Sequence, residues 1–152
     1  MRQHRGDVCV SNLYESDILI WSGRQAELLR RLAAGERVND QLDWENVIQE
    51  IEGVGREQLH AVESLLLQAL AHMLKAQGWP LARDVENWRA DARGFRAQAA
   101  NRFAPSMRQR LDLARIYRQA LRALPHTMDG QPPQPLPETC PATLDELLGD
   151  EL

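Results

Sequence analysis

Glu57-Gln58-Leu59-His60 sets a carboxylate and an imidazole three residues apart. On a helix this is the Glu-x-x-His spacing with which di-iron bundles hold their metals. Such a site needs two of these pairs facing inward, with a further Glu from each of two other helices. This sequence supplies one pair. At about 100° per residue, His60 points about 180° away from Ile51 and about 160° from Val62, and Glu57 sits about 60° round from it. The pair is therefore expected on an outer, solvated face. A second set starts from Asp43, Glu50 and Glu57, which recur every seven residues and form one column on a helix. His72 lies about 40° round from Glu50 but about 33 Å further along a continuous helix. Glu50, Glu57 and His72 are thus candidate metal ligands or catalytic groups. They converge only if the chain folds back at Gly53 or Gly55, or if a second copy completes the set. The plainer reading is favoured: His72 hydrogen-bonds to a carboxylate or carbonyl at a helix interface. No metal and no cofactor is expected.

Arginine forms the other chemically capable pattern. Residues 88–124 hold nine Arg against two Asp. Arg108, Arg115, Arg118 and Arg122 fall within about 80° of one another on a helix. Arg89, Arg93 and Arg96 make a similar row on the preceding one. Arg suits phosphate through its bidentate fork, so both rows are candidate anion or nucleic-acid contacts. The chain as a whole is acidic, however, with a net charge of −4 and a pI near 5.6. Trp88, Phe95 and Tyr117 fall on the apolar sides, not among the Arg rows where base stacking would need them. Neutralisation from within is the preferred reading, because acidic segments flank the rows. Residues 36–63 hold eight acids and two bases, and residues 126–152 hold six acids and no Lys or Arg.

The elements that must position these groups are helices. No strand-like alternation occurs, and every strong apolar pattern repeats at three or four residues. The first helix carries Tyr14, Ile18, Trp21, Gln25, Leu28, Leu29 and Leu32 on one face. Ser16 or Asn12 is expected to cap its start and Gly35 to stop it. The second runs from about Asp43 to Gln77, with a stripe that includes Val47, Ile48, Ile51, Val54, Val62, Leu66, Leu70 and Met73. Gly53 and Gly55 weaken its middle by about 1 kcal/mol each relative to Ala, without being expected to end it. The third spans about Asp84 to Phe103, and the fourth Pro105 to about Leu124. Residues 125–142 are Pro-rich and read as a strap. A short helix at 143–152 is expected to dock through Leu144, Leu147 and Leu148. The expected fold is all-α: an antiparallel bundle of about four main helices over residues 13–124, followed by the strap and the short helix. Residues 1–12 are expected to be a flexible N-terminus.

Composition narrows the classes further. At 152 residues, 43% of them hydrophobic, the chain can bury one domain-sized core. It lacks the run of about 20 apolar residues that spans a bilayer, and it opens without the apolar stretch of a signal peptide. Cys9 and Cys140 give neither a disulfide framework nor a ligand spacing. A cytoplasmic protein without a membrane partner is expected.

The ordered motifs resemble a bacterial family known as domain of unknown function twenty-nine. The resemblance rests on Tyr14-x-x-Asp17-Ile18-x-x-Trp21, Gln25-Ala26-Glu27-Leu28-Leu29-Arg30, Asp43-Trp44-Glu45-Asn46, Glu50-Ile51-Glu52 and Gly55-Arg56. It continues through His72-Met73-Leu74-Lys75, Trp88-Arg89, Pro105-Ser106, Tyr117-x-x-Ala120 and Cys140-Pro141 with Leu144. Ala142 and Gln49 depart from the family pattern. The resemblance implies an all-helical fold and brings no activity, substrate or cofactor. It singles out Glu50, His72 and Lys75 as the polar positions to inspect as catalytic candidates.

The expectation that follows is a non-enzymatic helical module that binds a protein partner or itself. An enzyme using Glu50, Glu57 and His72, and a nucleic-acid contact through the Arg rows, are the alternatives.

Overall fold

A computed structural model describes residues 13–149 of the chain. The expected flexible N-terminus, the Asn12 cap and Cys9 lie outside the described residues. Of the described residues, 13–16 are helical, and beyond the break at Asp17 follow α1 (Ile18–Ala33), α2 (Trp44–Gly78), α3 (Val85–Arg102), α4 (Leu113–Arg122) and α5 (Leu144–Leu148). A 3-10 turn, Pro105–Met107, precedes α4. The one departure from helix and coil among them is an isolated bridge between Met128 and Gln131. The expected all-α class is the one observed. By internal contacts the chain divides into two compact units, between Gly55 and Arg56.

The first unit contains α1 and the start of α2. Asp17, not Ser16, caps α1: its carboxylate accepts from the Ile20 N–H at 3.1 Å. At the other end Gly35 takes φ +90°. Its N–H bonds the Leu32 carbonyl and the Glu36 N–H bonds that of Arg31. This double closure needs a left-handed residue, which Gly35 supplies without a Cβ penalty. Trp21, Val38, Leu42 and Val47 are buried. Gln25 is buried with them because it has a partner: its Oε1 accepts the Asp43 backbone N–H at 2.9 Å. Ile18, Ile48, Ile51 and Val54, expected on buried stripes, are instead at least half exposed.

The second unit builds its core from α2, α3, α4 and α5. Val62, Leu66, Leu70 and Leu74 recur every four residues along α2 and are almost completely buried. They cluster with Ala99 of α3, with Ile116, Tyr117 and Ala120 of α4, and with Leu147 of α5. The expected helix from Pro105 to Leu124 is not continuous. Only the 3-10 turn starts at Pro105, and the Asp112 carboxylate caps a new helix by accepting from the Arg115 N–H at 2.9 Å. A side chain that satisfies an orphan amide in this way favours a fresh start over continuation.

The Pro-rich segment is held by side chains from elsewhere in the unit. Trp79 Nε1 donates to the Gln131 carbonyl at 2.9 Å, and the Tyr117 hydroxyl donates to that of Pro137 at 2.7 Å. The Gln134 N–H donates to the Gly78 carbonyl at 2.8 Å. Gly78 is buried there, and a Cβ on it would come within 3.1 Å of Pro133 Cβ.

Candidate functional site

Among the described residues, no three His, Cys, Asp or Glu side chains gather closely enough to hold a metal ion. The set Glu50, Glu57 and His72 therefore does not form one. Glu50 belongs to the first unit, where its Oε1 accepts the Tyr14 hydroxyl at 2.6 Å. That bond, followed by burial and the carboxylates of Glu50 and Asp43, raises the Tyr14 pKa above its ordinary value. Asp43 serves structure as well: its Oδ2 accepts from Trp21 Nε1 at 3.0 Å and from the Asn46 amide at 2.8 Å.

Glu57 is exposed, and so is His60, whose Nδ1 lies 3.2 Å from Glu63 Oε2. His72 is half-buried in the second unit. Its Nδ1 lies 2.8 Å from the Gln68 carbonyl, its Nε2 3.7 Å from Asp91, and its ring 5.4 Å from that of Phe95. Both ring nitrogens thus face an oxygen. Lys75 lies one turn further along α2 and is half-buried in its last turn. There an ammonium sits favourably against the negative end of the helix dipole.

The arginines separate into distinct groups. Arg108 lies on the loop before α4, not on the helix, and reaches Asp145 at 2.6 Å. Arg115 reaches Glu63 at 2.6 Å, and Arg89 pairs with Glu86 within its own helix. Arg118 and Arg122 remain exposed on α4.

Arg96 corrects its expected place in an outer row: it is 6% exposed. Its guanidinium donates to the carbonyls of Leu147, Glu146 and Gly149 at 2.7–2.9 Å. A buried charge is tolerated when its donors meet acceptors, and the last carbonyls of a helix are a standard source of them. Arg96 thereby caps the C-terminal end of α5. Thr143 and Glu146 close its other end in a reciprocal capping box.

A cavity of about 490 Å³ opens between the end of α2 and α3 in the second unit. Met73 and Ala76 line one side, and Ala92, Arg89 and Arg93 the other. Gln77 and Gln134 add carboxamides. Periodicity had placed Arg89 and Arg93 on one face but gave no sign of the cavity. It is completed by Gln134, from a Pro-rich segment that carries no helical pattern.

Comparison with known proteins agrees with this helical architecture. A crystal structure of an alpha-helical protein of unknown function from Rhodospirillum rubrum superposes with a TM-score of 0.63. It is 28% identical in sequence, and the match covers 90% of this chain and 89% of that one. No curated protein matches the sequence. The family described as "Domain of unknown function DUF29" matches over residues 13–152. The helical pattern read from the sequence and the match over nearly all of its length agree, and the chain belongs to that family.

Proposed function

We propose that the protein is a bacterial, cytoplasmic binding module, and that it docks a protein partner through the exposed start of α2. The observation that carries this reading is a helical row of Trp44, Ile48, Ile51 and Val54, which are 42%, 52%, 67% and 61% exposed. Single exposed apolar side chains are ordinary, but four at a 4-3-3 spacing on one helix face make a contiguous strip. Glu45 and Glu52 flank the strip on one side and Glu50 on the other, within a segment of net charge −6. Two copies meeting along this strip would oppose their acidic rims. The complementary surface is an amphipathic helix whose apolar face is bordered by Lys or Arg.

Titration calorimetry with an amphipathic Leu/Lys helical peptide and its Leu/Glu counterpart tests this. The Leu/Lys peptide is expected to bind saturably and the Leu/Glu peptide at least tenfold more weakly, with Ile51→Glu abolishing the difference. Equal binding of both peptides, or undiminished binding to the Ile51→Glu protein, overturns the reading. So does light scattering that shows a concentration-dependent dimer which Ile51→Glu dissolves, because the occupant is then a second copy.

A further inference from the structure

We propose that the cavity between α2 and α3 binds a small amphiphilic carboxylate, its hydrocarbon body against Met73, Ala76 and Ala92 and its acid group on Arg93. Volume comes first: about 490 Å³ lies within the range of pockets that enclose small organic ligands. The lining is two-faced. Ala76 and Ala92 are almost fully buried, so their short side chains leave an apolar floor rather than filling the space. Arg89, Arg93, Gln77 and Gln134 line the cavity as well, and all four are exposed. Apolar walls with a few convergent polar groups are what orient a ligand that has one charged end.

The arginines are not equivalent. Arg96 is committed to the α5 carbonyls and Arg89 to Glu86. Arg93, which also lines the cavity, is in no ion pair among the described residues. A planar guanidinium fork beside an apolar floor favours a carboxylate over a neutral head, because its two parallel N–H donors match the two carboxylate oxygens. This site shares no residue with the apolar strip at the start of α2, so either reading can fail without the other.

Titration calorimetry at low salt, in a buffer free of carboxylate and phosphate, tests the proposal with butyrate, hexanoate, octanoate and neutral 1-octanol. Octanoate is expected to bind at one site per chain, and at least tenfold more tightly than 1-octanol. From butyrate to octanoate the affinity is expected to rise about fourfold per methylene, the increment expected when each enters an apolar site. Arg93→Gln changes an exposed residue, and circular dichroism checks its fold. It is expected to weaken octanoate at least tenfold and leave 1-octanol unchanged, with Arg89→Gln as a milder second variant and the exposed Arg110→Gln as an inert control. Four results overturn the proposal. They are no saturable heat with octanoate, equal affinity for octanoate and 1-octanol, no dependence on chain length, and undiminished octanoate binding by folded Arg93→Gln protein.

Discussion

Arg115 Nη2 lies 2.6 Å from Glu63 Oε1, while the second oxygen of that carboxylate lies 3.2 Å from His60 Nδ1. Glu63 is the sheltered member, with a side chain 14% exposed against 45% for Arg115 and 74% for His60. One carboxylate thus ties α4 to α2 across 52 residues of sequence. Because Arg115 is largely wet, the pair is expected to contribute about 0.5–1 kcal/mol. A double-mutant cycle with Glu63→Gln and Arg115→Gln, followed by urea unfolding, measures it. The coupling is expected to shrink with added salt. A coupling indistinguishable from zero at low salt would show that the contact sets register without stabilising it.

Leu147→Ala is expected to cost about 3 kcal/mol in the second unit, because a fully buried leucine leaves a cavity behind. Arg96→Met keeps most of the volume but strips donors from three carbonyls, and is expected to cost about 1–3 kcal/mol. In both variants amide hydrogen exchange is expected to rise first in α5. Unchanged protection at Leu147 and Leu148 would contradict the capping role of Arg96.

The two tyrosines are expected to ionise above the ordinary value of 10.0. For Tyr14 the main cause is its hydrogen bond to Glu50; for Tyr117 it is burial, followed by the coulombic effect of Cys140. A folded state that holds these protons more tightly gains stability that is fully present below pH 10.0 and is lost as pH rises through the raised values. Tyrosinate absorbance reads this directly. Glu50→Ala is expected to bring Tyr14 back toward its ordinary value and leave Tyr117 alone. Two simultaneous, unshifted titrations in the parent protein would be inconsistent with both contacts.

Glu146 behaves in the opposite sense. Its carboxylate accepts the Thr143 N–H at 2.6 Å and the Thr143 hydroxyl at 3.0 Å, and the backbone bond is the main reason its pKa falls below 4.5. The stability this adds to α5 is present above pH 4.5 and is lost as pH falls through the lowered value. The NMR shift of the Thr143 amide is expected to follow that titration and to lose it in Glu146→Gln. A midpoint at or above the ordinary carboxylate value would refute the assignment.

How much of this was legible in the sequence depends on what each inference required. α1, α2 and α3 follow from three- and four-residue periodicity, and α2 passes through Gly53 and Gly55 because two weak residues do not outweigh a long helix. The break before α4 was hidden, since Asp112 reads as an outer residue of a longer helix unless its bond to the Arg115 amide is known. Arg96 was misplaced for a different reason. Its acceptors lie 50–53 residues away, and periodicity ranks any arginine as wet. Ile48, Ile51 and Val54 mark the same limit from the other side: a repeat says which residues share a face, not whether anything covers it. The cavity depends on where Gln134 is carried by chain without a repeat, so no local signal announced it.

Trp79 and Tyr117 donate to a stretch whose prolines have no N–H of their own to give. The residues from Gln131 to Leu148 can accordingly be regarded as a tethered ligand that occupies its own receptor. The covalent link supplies a high effective concentration, so modest individual contacts suffice to keep it seated. Cleaving the chain between Leu124 and Met128 would remove that advantage and turn an intramolecular docking into a dilution-sensitive encounter between two molecules.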